Sequence, residues 1–559
     1  MSDQKSGSQR TTGPGLALDV LLIVLLLAAG WGVRWMFVKA VVFPPLDDPA
    51  FYLTTAKNLV SGRGLVVDTL WSYQPYLSSV THPSHEHWMP LPTGLIAAAF
   101  VLQRAISGVL ETSLRVAQLP GMILATLLAP LTYIVGRRIL PGRHRNRWMA
   151  LTAGLLIAAN AALGYQSASA DSSAPYAFLA AWALATAVRR PGDEAGYFGT
   201  GLLIALAYLT RADGLMLLVT VPLAWWLLPV PAPAVIAMAK SEWATSPPED
   251  EEEWPDEFGP TLANFPDILV AFTFLVAIWL VRNYVQFGTP LPSSVLDQLW
   301  LRDYWDTFSY SSRPGWETWL AQGWQALLKQ RIGALLHNSR VFLVNTFPWG
   351  LLALPGVWFL RERRTFYPPV VYGLCLFFVT AIVFPVSSTY GTFYHSLGAV
   401  MPFLALAAAY AVYRFAQRIS RNRRMVLPLF GAFAAGLLIV AGGHVGLFAL
   451  PRVAERHQAE KEQFEAAAAW LAANAAPGDV VMTTQPYTLN YVSGHPCIVL
   501  PGNEPPDIAW EAAERFRARF LIITQRFGLY PQVLNEQPDP RFRLLETTDG
   551  NEIYEIVQD

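Results

Sequence analysis

The sequence contains very little cysteine and very little charge. Only two of its 559 residues are cysteines, and 14% are Asp, Glu, Lys or Arg. Cys375 lies in an apolar run and Cys497 in a polar tail, so the two cannot supply a disulfide framework or a four-ligand zinc site. The formal net charge of −1 lacks the basic surplus that contacts with nucleic-acid phosphates require. We therefore expect no nucleic acid among the partners.

Glycine-rich phosphate loops and internal repeats are also missing from the sequence. The nearest pattern, Gly62-Arg63-Gly64, is too short to be a dinucleotide fingerprint. The sequence therefore predicts no nucleotide cofactor.

Hydrophobic residues are abundant, at 53% of the chain, and the mean hydropathy is +0.32. Apolar stretches of roughly 16–25 residues, long enough to cross about 30 Å of hydrocarbon, recur along the sequence. The first, from Leu16 to about Val38, is too long for a signal-peptide core. We predict a polytopic α-helical membrane protein with about 11 transmembrane helices. After the first, the predicted spans are 115–136, 149–167, 172–188, 196–211, 213–230, 262–282, 340–360, 367–386, 397–416 and 425–450.

The positions of Lys and Arg predict the orientation, because cytoplasmic loops retain basic residues. All the basic clusters fall on the side of the N-terminus if the apolar segment 91–108 lies at the outer interface instead of crossing the membrane. The N-terminus is then inside and the C-terminus outside, and the compact loops favour a plasma membrane. The clusters are Lys5 and Arg10; Arg137, Arg138, Arg143, Arg145 and Arg147; Arg189 and Arg190; Arg361, Arg363 and Arg364; and Arg414, Arg418, Arg421, Arg423 and Arg424.

This orientation divides the chain into three parts. Residues 1–15 form a cytoplasmic tail, and residues 16–450 form a membrane core with external loops at 39–114 and 283–339. In residues 451–559 a polar helix is followed by short apolar runs and another helix, an alternation that predicts a small extracytoplasmic α/β domain.

Two adjacent carboxylates, Asp47 and Asp48, follow the first span directly. Asp48 precedes a proline, and one interpretation makes it the N-cap of a helix that starts at Pro49. The other makes it a general base whose pKa is raised by partial burial. The two interpretations are compatible.

The segment 81–92, THPSHEHWMPLP, crowds His82, His85, Glu86 and His87 into six positions. Such side chains could bind a divalent metal or a phosphate, hydrogen-bond to a substrate, or form a solvated loop. The spacing matches no established zinc motif. All three alternatives stay open at this point.

Further polar residues lie at predicted outer ends of spans: Arg115, Asp171, Arg211, Arg282 and His395. The planar guanidinium group suits arginine to phosphate binding. The alternative is structural: Arg211 forms a local salt bridge with Asp213, Arg115 snorkels to the interface, and His395 is an interfacial hydrogen-bonding residue.

These residues resemble the GT-C class of polyprenyl-phosphate-dependent glycosyltransferases, which includes the protein O-mannosyltransferases and the aminoarabinose transferases of lipid A. The similarity covers roughly the first 290 residues and rests on an ensemble of short motifs. They are the pair Asp47 and Asp48 followed by Tyr52, Ala56, Gly62 and Gly64; the His- and Pro-rich segment; Arg115; Gly136 to Arg138; Asp171; and Thr210 to Gly214.

The resemblance implies a GT-C-like enzyme that transfers a hexosyl or pentosyl group from a polyprenyl-phosphate-linked donor to a hydroxyl group of a lipid, glycan or protein. It also implies that the configuration at the anomeric carbon inverts and that the transfer takes place on the extracytoplasmic side. Asp48, four residues before Tyr52, matches the base, and Asp47 becomes its partner or a metal ligand. Arg115, Arg211 and Arg282 are implied to surround the phosphate.

Two other classes of function fit a chain with many spans. A transporter should carry charged residues near the bilayer midplane, whereas the midspan residues here are almost all apolar, with His444 as the main exception. An envelope assembly or scaffold protein would use the outer surface only to bind partners.

Overall fold

The computed structural model describes residues 14–45, 47–73, 78–142, 145–187, 196–228, 262–291, 297–361, 363–502, 504–524, 534 and 539–557. Most of the tail predicted at 1–15 lies outside these residues. The described α-helices are Pro14–Ala40, Asp48–Val60, Leu91–Ser107, Leu114–Ile139, Arg145–Ala158, Ala161–Ala168, Ser173–Thr186, Gly196–Thr210, Leu215–Leu227, Phe265–Phe287, Trp316–Leu320, Trp324–Asn345, Gly350–Phe359, Tyr367–Ile382, Pro385–Thr389, Thr392–Ser396, Met401–Ile419, Val426–His444, Leu450–Asn474, Pro486–Ser493 and Pro506–Phe516.

Within the described part, five helical segments are long and apolar enough to cross a membrane, and three bent helix pairs raise that number to eight. The protein is therefore a multi-pass membrane protein, while the number of about 11 spans and their orientation stay predictions. The five segments are Gly15–Ala40, Leu114–Ile139, Phe265–Phe287, Arg364–Ile382 and Arg423–Asn474.

The segment 340–360, predicted as one span, differs in the structure. It belongs to two helices, Trp324–Asn345 and Gly350–Phe359, which meet at 97°. Pro348 lies at the break, where it has no N–H to donate and restricts the residue before it. The first of these helices begins inside the segment 283–339 that the sequence predicts as an external loop.

The first span contains a charged side chain, Arg34, whose role is not evident from the hydropathy of the segment. Arg34 is fully buried, and its guanidinium group donates hydrogen bonds to the carbonyl oxygens of Ala158 and Ile157, the latter at 2.9 Å. These carbonyls end the helix Arg145–Ala158, which meets the next helix at a bend of 50°. Carbonyls released at a helix end need a donor when water is absent, and a cation there also complements the helix dipole.

The sheet joins two distant parts of the chain. Its strands are β1 (Val66–Leu70), β2 (Thr81–Pro83), β3 (Val480–Thr483), β4 (Cys497–Val499), β5 (Ala518–Ile523), β6 (Phe542–Thr548) and β7 (Asn551–Ile556). Their order is β2-β1-β4-β3-β5-β7-β6. β1 pairs in parallel with β4, with Thr69 opposite Cys497. The segment 39–114, which the sequence predicts to be external, thus supplies two strands to the sheet of the C-terminal domain.

The C-terminal α/β domain that the sequence predicts is present. The helix Leu450–Asn474 leads into it, and β3, β4 and β5 occupy the predicted apolar runs. Its buried side chains share one hydrophobic core with the segment 39–114. In this core Phe51 and Trp71 lie with Tyr487 and Ile498. The domain therefore packs directly on the segment that carries Asp47 and Asp48.

Candidate functional site

The helix Asp48–Val60 begins at Asp48, and Asp47 occupies the position before it. The N-cap position is therefore Asp47, and its side chain makes no hydrogen bond that caps this helix. The interpretation of Asp48 as an N-cap is therefore wrong, and its carboxylate is available for other contacts. Asp47 has φ 52° and ψ −76°, a conformation that is rare and strained for a residue with a side chain.

A cavity of about 590 Å³ lies beside the start of this helix. That volume is in the usual range for a small-molecule site. Its polar lining includes Asp48, Tyr52, His87, Ser172, Arg211, Asp213, Gln298, Ser387 and His395. Its apolar lining includes Leu215, Met216, Val219, Val379 and Phe384. One cavity thus offers both charged groups and a hydrocarbon surface.

Arg211 is held in place by the turn that precedes the helix Leu215–Leu227. Its Nε and Nη2 atoms donate to Asp213 Oδ2 at 3.0 and 2.9 Å, and its Nη1 donates to Ser172 Oγ at 3.0 Å. Gly214 permits this tight turn, because a Cβ there would lie 2.4 Å from the Tyr208 nitrogen. These bonds use three of the five guanidinium N–H donors, so further donors can serve a ligand.

The structural alternative for Arg211 is confirmed, whereas its role at a phosphate stays a prediction. Arg211 forms the local salt bridge with Asp213, and it also lines the cavity. Among the described lining residues, Arg211 is the only Arg or Lys.

The charge on Asp48 is set by burial and by neighbouring groups. Burial raises the pKa of Asp48, while the Arg211 guanidinium and a hydrogen bond from Trp88 favour the ionised form and oppose the rise. A carboxylate with a raised pKa accepts a proton more readily near neutral pH. Tyr52, one turn along the helix, hydrogen-bonds to Ser172, which also binds Arg211.

The His-rich segment is divided between the cavity and the protein interior. His87 lines the cavity, and its Nε2 atom has no hydrogen-bond partner among the described residues. His82 Nε2 lies 3.3 Å from Glu86 Oε1, and His85 lies between Ser84 Oγ at 2.7 Å and Thr93 Oγ1 at 3.0 Å. We call His82, Ser84, His85, Glu86 and Thr93 the buried histidine network.

The pKa values in this segment follow from burial and from one ion pair. Burial alone would lower the pKa of His82, but the Glu86 carboxylate outweighs it and raises that pKa. Burial would raise the pKa of Glu86, but His82 holds it down at about 2. Burial lowers the pKa of His87 to about 4. The solvated-loop alternative is therefore wrong for the network.

A metal centre finds no ligand set in the described part of the chain. No group of three or more His, Cys, Asp or Glu side chains there is arranged to hold a metal ion. In particular, Asp47, His85, Glu86 and His87, the four candidates from the sequence, form no such group.

Asp171 and His395 lie close to Arg211 but differ in exposure to the cavity. His395 lines it and shares a hydrogen bond of 2.6 Å between its Nδ1 and Ser173 Oγ. Asp171 is buried and does not line the cavity, and its Oδ1 accepts a hydrogen bond from the Ser173 nitrogen at 2.8 Å. Burial raises the pKa of Asp171 to about 6.

Two of the three arginines that the resemblance assigns to the phosphate do not line the cavity. Arg115 donates to the Lys39 carbonyl oxygen and to Gln118 Oε1, both at 3.3 Å. Arg282 donates to the Ser84 carbonyl oxygen at 2.8 Å and lies over the Trp279 ring. Both side chains support neighbouring segments instead.

Several lining residues carry no sequence signal. Tyr304 and Tyr390 stack with ring centroids 4.0 Å apart, and Ser387 Oγ donates to Gln298 Oε1 at 2.5 Å. Trp71 also lines the cavity, after β1. The resemblance ends near residue 290, so only the fold brings these later residues to Asp48.

No protein-family model matches the chain, and no curated protein sequence matches it either. Among solved structures, ArnT from Cupriavidus metallidurans bound to undecaprenyl phosphate superposes with a TM-score of 0.52 at 12% identity, over 97% of this chain and 98% of that chain. The apo state of the same protein gives 0.50 at 12%, over 98% and 99%.

ArnT is a GT-C glycosyltransferase, and the similarity extends over nearly the whole length of both chains. The protein described here therefore has a GT-C-like fold, a polytopic helical membrane core with a small C-terminal sheet domain. The resemblance seen in the sequence is confirmed at the level of the fold.

Proposed function

We propose that the protein is a membrane glycosyltransferase that moves a sugar from a polyprenyl-phosphate-linked donor to a hydroxyl acceptor on the extracytoplasmic side. The observation that carries this proposal is the shared cavity of Asp48 and Arg211, whose other wall is apolar. A carboxylate, a guanidinium group and a hydrocarbon surface are the three features that a lipid-phosphate sugar donor and a hydroxyl acceptor need together.

In the proposed reaction Asp48 removes the proton of the acceptor hydroxyl group. The acceptor oxygen attacks the anomeric carbon from the face opposite the phosphate, so the configuration inverts. The bond from the anomeric carbon to the phosphate oxygen breaks, and the phosphate keeps the electron pair. Arg211 stabilises the charge that develops there, since a preorganised cation acts most strongly in a cavity with little water.

The other parts of the cavity suit the remaining parts of the substrates. Leu215, Met216 and Val219 offer an apolar wall to the lipid chain. Tyr52, His87 and His395 supply polar groups for the sugar or the acceptor. The ligand of the similar fold, undecaprenyl phosphate in ArnT, supports a donor of this class. The acceptor is a hydroxyl group of a lipid, a glycan or a protein.

The test is transfer of radiolabelled sugar from hexosyl and pentosyl polyprenyl-phosphate donors to a membrane extract. We expect Asp48→Asn to lower transfer by about 10²- to 10⁴-fold, the usual contribution of a general base. Asp68→Asn is a matched control, because Asp68 lies in the same segment, pairs with Arg63 at 2.7 Å and does not line the cavity. It should retain transfer within about twofold.

Folding of each variant is checked by size-exclusion chromatography and thermal unfolding. Full transfer by a folded Asp48→Asn variant would reject the base. Absence of transfer by the folded wild type across the donor panel would reject the enzyme and favour transport, measured as flux in proteoliposomes, or a scaffold role.

A further inference from the structure

Asp47 is adjacent to the proposed base but faces away from the cavity. Its side chain contacts the C-terminal domain, where the Gln485 amide nitrogen lies 3.3 and 3.0 Å from its two carboxylate oxygens in the orientation that satisfies the amide. Trp71 Nε1 donates to Asp47 Oδ2 at 3.2 Å. The Asp47 nitrogen donates to Thr488 Oγ1 at 3.0 Å. Both the backbone and the side chain of Asp47 are thus bound by residues more than 20 positions away in sequence.

These partners lie at the start of the helix Pro486–Ser493. The backbone N–H groups of Tyr487 and Thr488 also donate to the Asp47 carboxyl group. The N-terminus of a helix offers free N–H groups and a positive dipole end, which favour an acceptor there. The same helix packs against the start of the helix Asp48–Val60, since the rings of Tyr487 and Phe51 have centroids 5.1 Å apart.

The backbone of Asp47 needs such support. Its φ of 52° is unfavourable for a residue with a Cβ, and conformations of this kind persist only when surrounding contacts determine them. Gln485 and Trp71 donate hydrogen bonds to the Asp47 side chain, and the Asp47 N–H donates one to Thr488. These bonds provide the contacts. Because Asp48 is the next residue, the conformation of Asp47 determines the direction in which the Asp48 carboxylate leaves the chain.

We propose that the C-terminal domain positions the catalytic base, and that Asp47 is the positioning residue through which it does so. The catalytic consequence rests on the function proposed above. In this arrangement Asp47 touches no substrate, and the helix Pro486–Ser493 holds it so that Asp48 faces the cavity. The soluble domain then contributes to catalysis through a contact between the domains, without a catalytic residue of its own.

The charge on Asp47 is consistent with this role. Burial, with the neighbouring Asp48 carboxylate, raises the pKa of Asp47 to about 8 against the hydrogen bonds it accepts. A raised pKa favours the neutral form of Asp47, so that Asp48 can carry the negative charge of the pair. Asparagine has the same shape as a protonated aspartate and tolerates a positive φ, and rotation of the Gln485 amide turns its oxygen toward the new NH2 group. Asp47→Asn should consequently replace Asp47 far better than Asp48→Asn replaces Asp48.

The kinetic test compares Asp47→Ala, Asp47→Asn and Thr488→Val. We expect Asp47→Ala and Thr488→Val to lower kcat about 10- to 100-fold, the effect of a misplaced catalytic group, with the donor KM within about twofold. Asp47→Asn should recover kcat to within about threefold of wild type. Equal losses in Asp47→Asn and Asp48→Asn would overturn the proposal and make Asp47 catalytic.

The matched control is Glu504→Ala, which removes another contact between the C-terminal domain and an external segment. Glu504 accepts from the Tyr310 nitrogen at 2.7 Å and from Ser309 Oγ at 2.7 Å, and it does not touch Asp47. We expect kcat within about twofold of wild type. A loss as large as that of Thr488→Val would overturn the proposal, because it would show that domain docking in general, and not Asp47, matters.

Hydrogen exchange at the Asp47 amide gives a readout that does not depend on activity. This amide is bonded to Thr488 Oγ1, so exchange should be faster in Thr488→Val and unchanged in Glu504→Ala. Unchanged exchange in Thr488→Val would overturn the contact. If the wild type transfers no sugar, the proposed function fails, and the exchange experiment still decides whether the C-terminal domain holds Asp47.

Discussion

Polar side chains lie both on one side of the cavity and in the buried histidine network, and one short segment contributes to each. His87 lines the cavity, whereas His82 and Glu86, within five residues of it, pair with each other in the interior at 3.3 Å. The network residues have partners within the protein. The groups on the cavity wall face a volume that a ligand can fill.

This difference in partners predicts different effects of substitution in the two regions. A buried polar group with protein partners rigidifies the structure, and its removal leaves an unpaired neighbour. A group that faces a cavity keeps some of its donors or acceptors for a substrate. We therefore expect substitutions in the network to change the free energy of unfolding, and substitutions on the wall to change transfer.

The largest effect on stability is expected for Glu86→Ala. His82 and Glu86 are exposed by only 3% and 1%, so removal of the carboxylate leaves the buried His82 imidazole without this partner and favours its neutral form. Leaving a buried polar group unsatisfied costs about 1–3 kcal/mol, which chemical unfolding in detergent can measure. His87→Ala is the control, and we expect a smaller loss because the His87 Nε2 atom leaves no hydrogen-bond partner unpaired. A stable Glu86→Ala protein without transfer would make Glu86 part of the site instead.

A smaller effect, this time on transfer, is expected for Arg211→Lys. Lysine keeps the charge but loses the planar fork that bonds Asp213 and Ser172 together. We expect kcat/KM to fall about 10- to 100-fold, and the free energy of unfolding to stay within about 1 kcal/mol of wild type. Steady-state kinetics with the lipid-linked donor measures the change in kcat/KM. An unaltered kcat/KM would show that Arg211 does not bind the phosphate.

The pH dependence of transfer should report the charge on Asp48. A base works only when ionised, so kcat/KM falls as the pH drops through the pKa of Asp48. Burial raises this pKa and Arg211 lowers it, so Arg211→Gln should move the acid limb to higher pH. Arg282 does not line the cavity, so Arg282→Gln should leave the acid limb of the pH profile unchanged. A limb that moves equally in both variants would contradict the direct effect of Arg211 on Asp48.

The smallest effect is expected for Arg115→Gln. The sequence places Arg115 with Arg211 at the phosphate, but in the structure it contacts the Lys39 carbonyl oxygen and Gln118 away from the cavity. We expect kcat/KM for the donor within about twofold of wild type. A loss similar to that of Arg211→Lys would mean that the phosphate site extends beyond the cavity described here.

Much of the fold follows from local sequence properties. Hydropathy over stretches of about 20 residues predicts membrane helices, since the length needed to cross the hydrocarbon is a one-dimensional quantity. The alternation in the tail likewise predicts β3, β4 and β5. β1 and β2 were not predicted, because both are short and because β1 pairs with β4, which lies more than 400 positions away in the sequence.

The candidate site was predicted only in part. The position of Asp48 after the first span and its spacing to Tyr52 indicate a base, and both residues line the cavity. Composition and spacing do not reveal which of several arginines turns toward that cavity. Nor do they reveal that Tyr304 and Tyr390 meet there, since these contacts depend on how the helices pack.

Composition, periodicity and order along the chain are enough to predict that this protein lies in a membrane, that it ends in a small α/β domain, and that its acidic pair follows the first span. The packing of distant segments, in contrast, determines that Asp48 faces the cavity with Arg211 while Asp47 contacts Gln485 and Thr488. Neighbouring side chains on a helix start project in different directions, and what each one meets is determined by segments far away in the sequence.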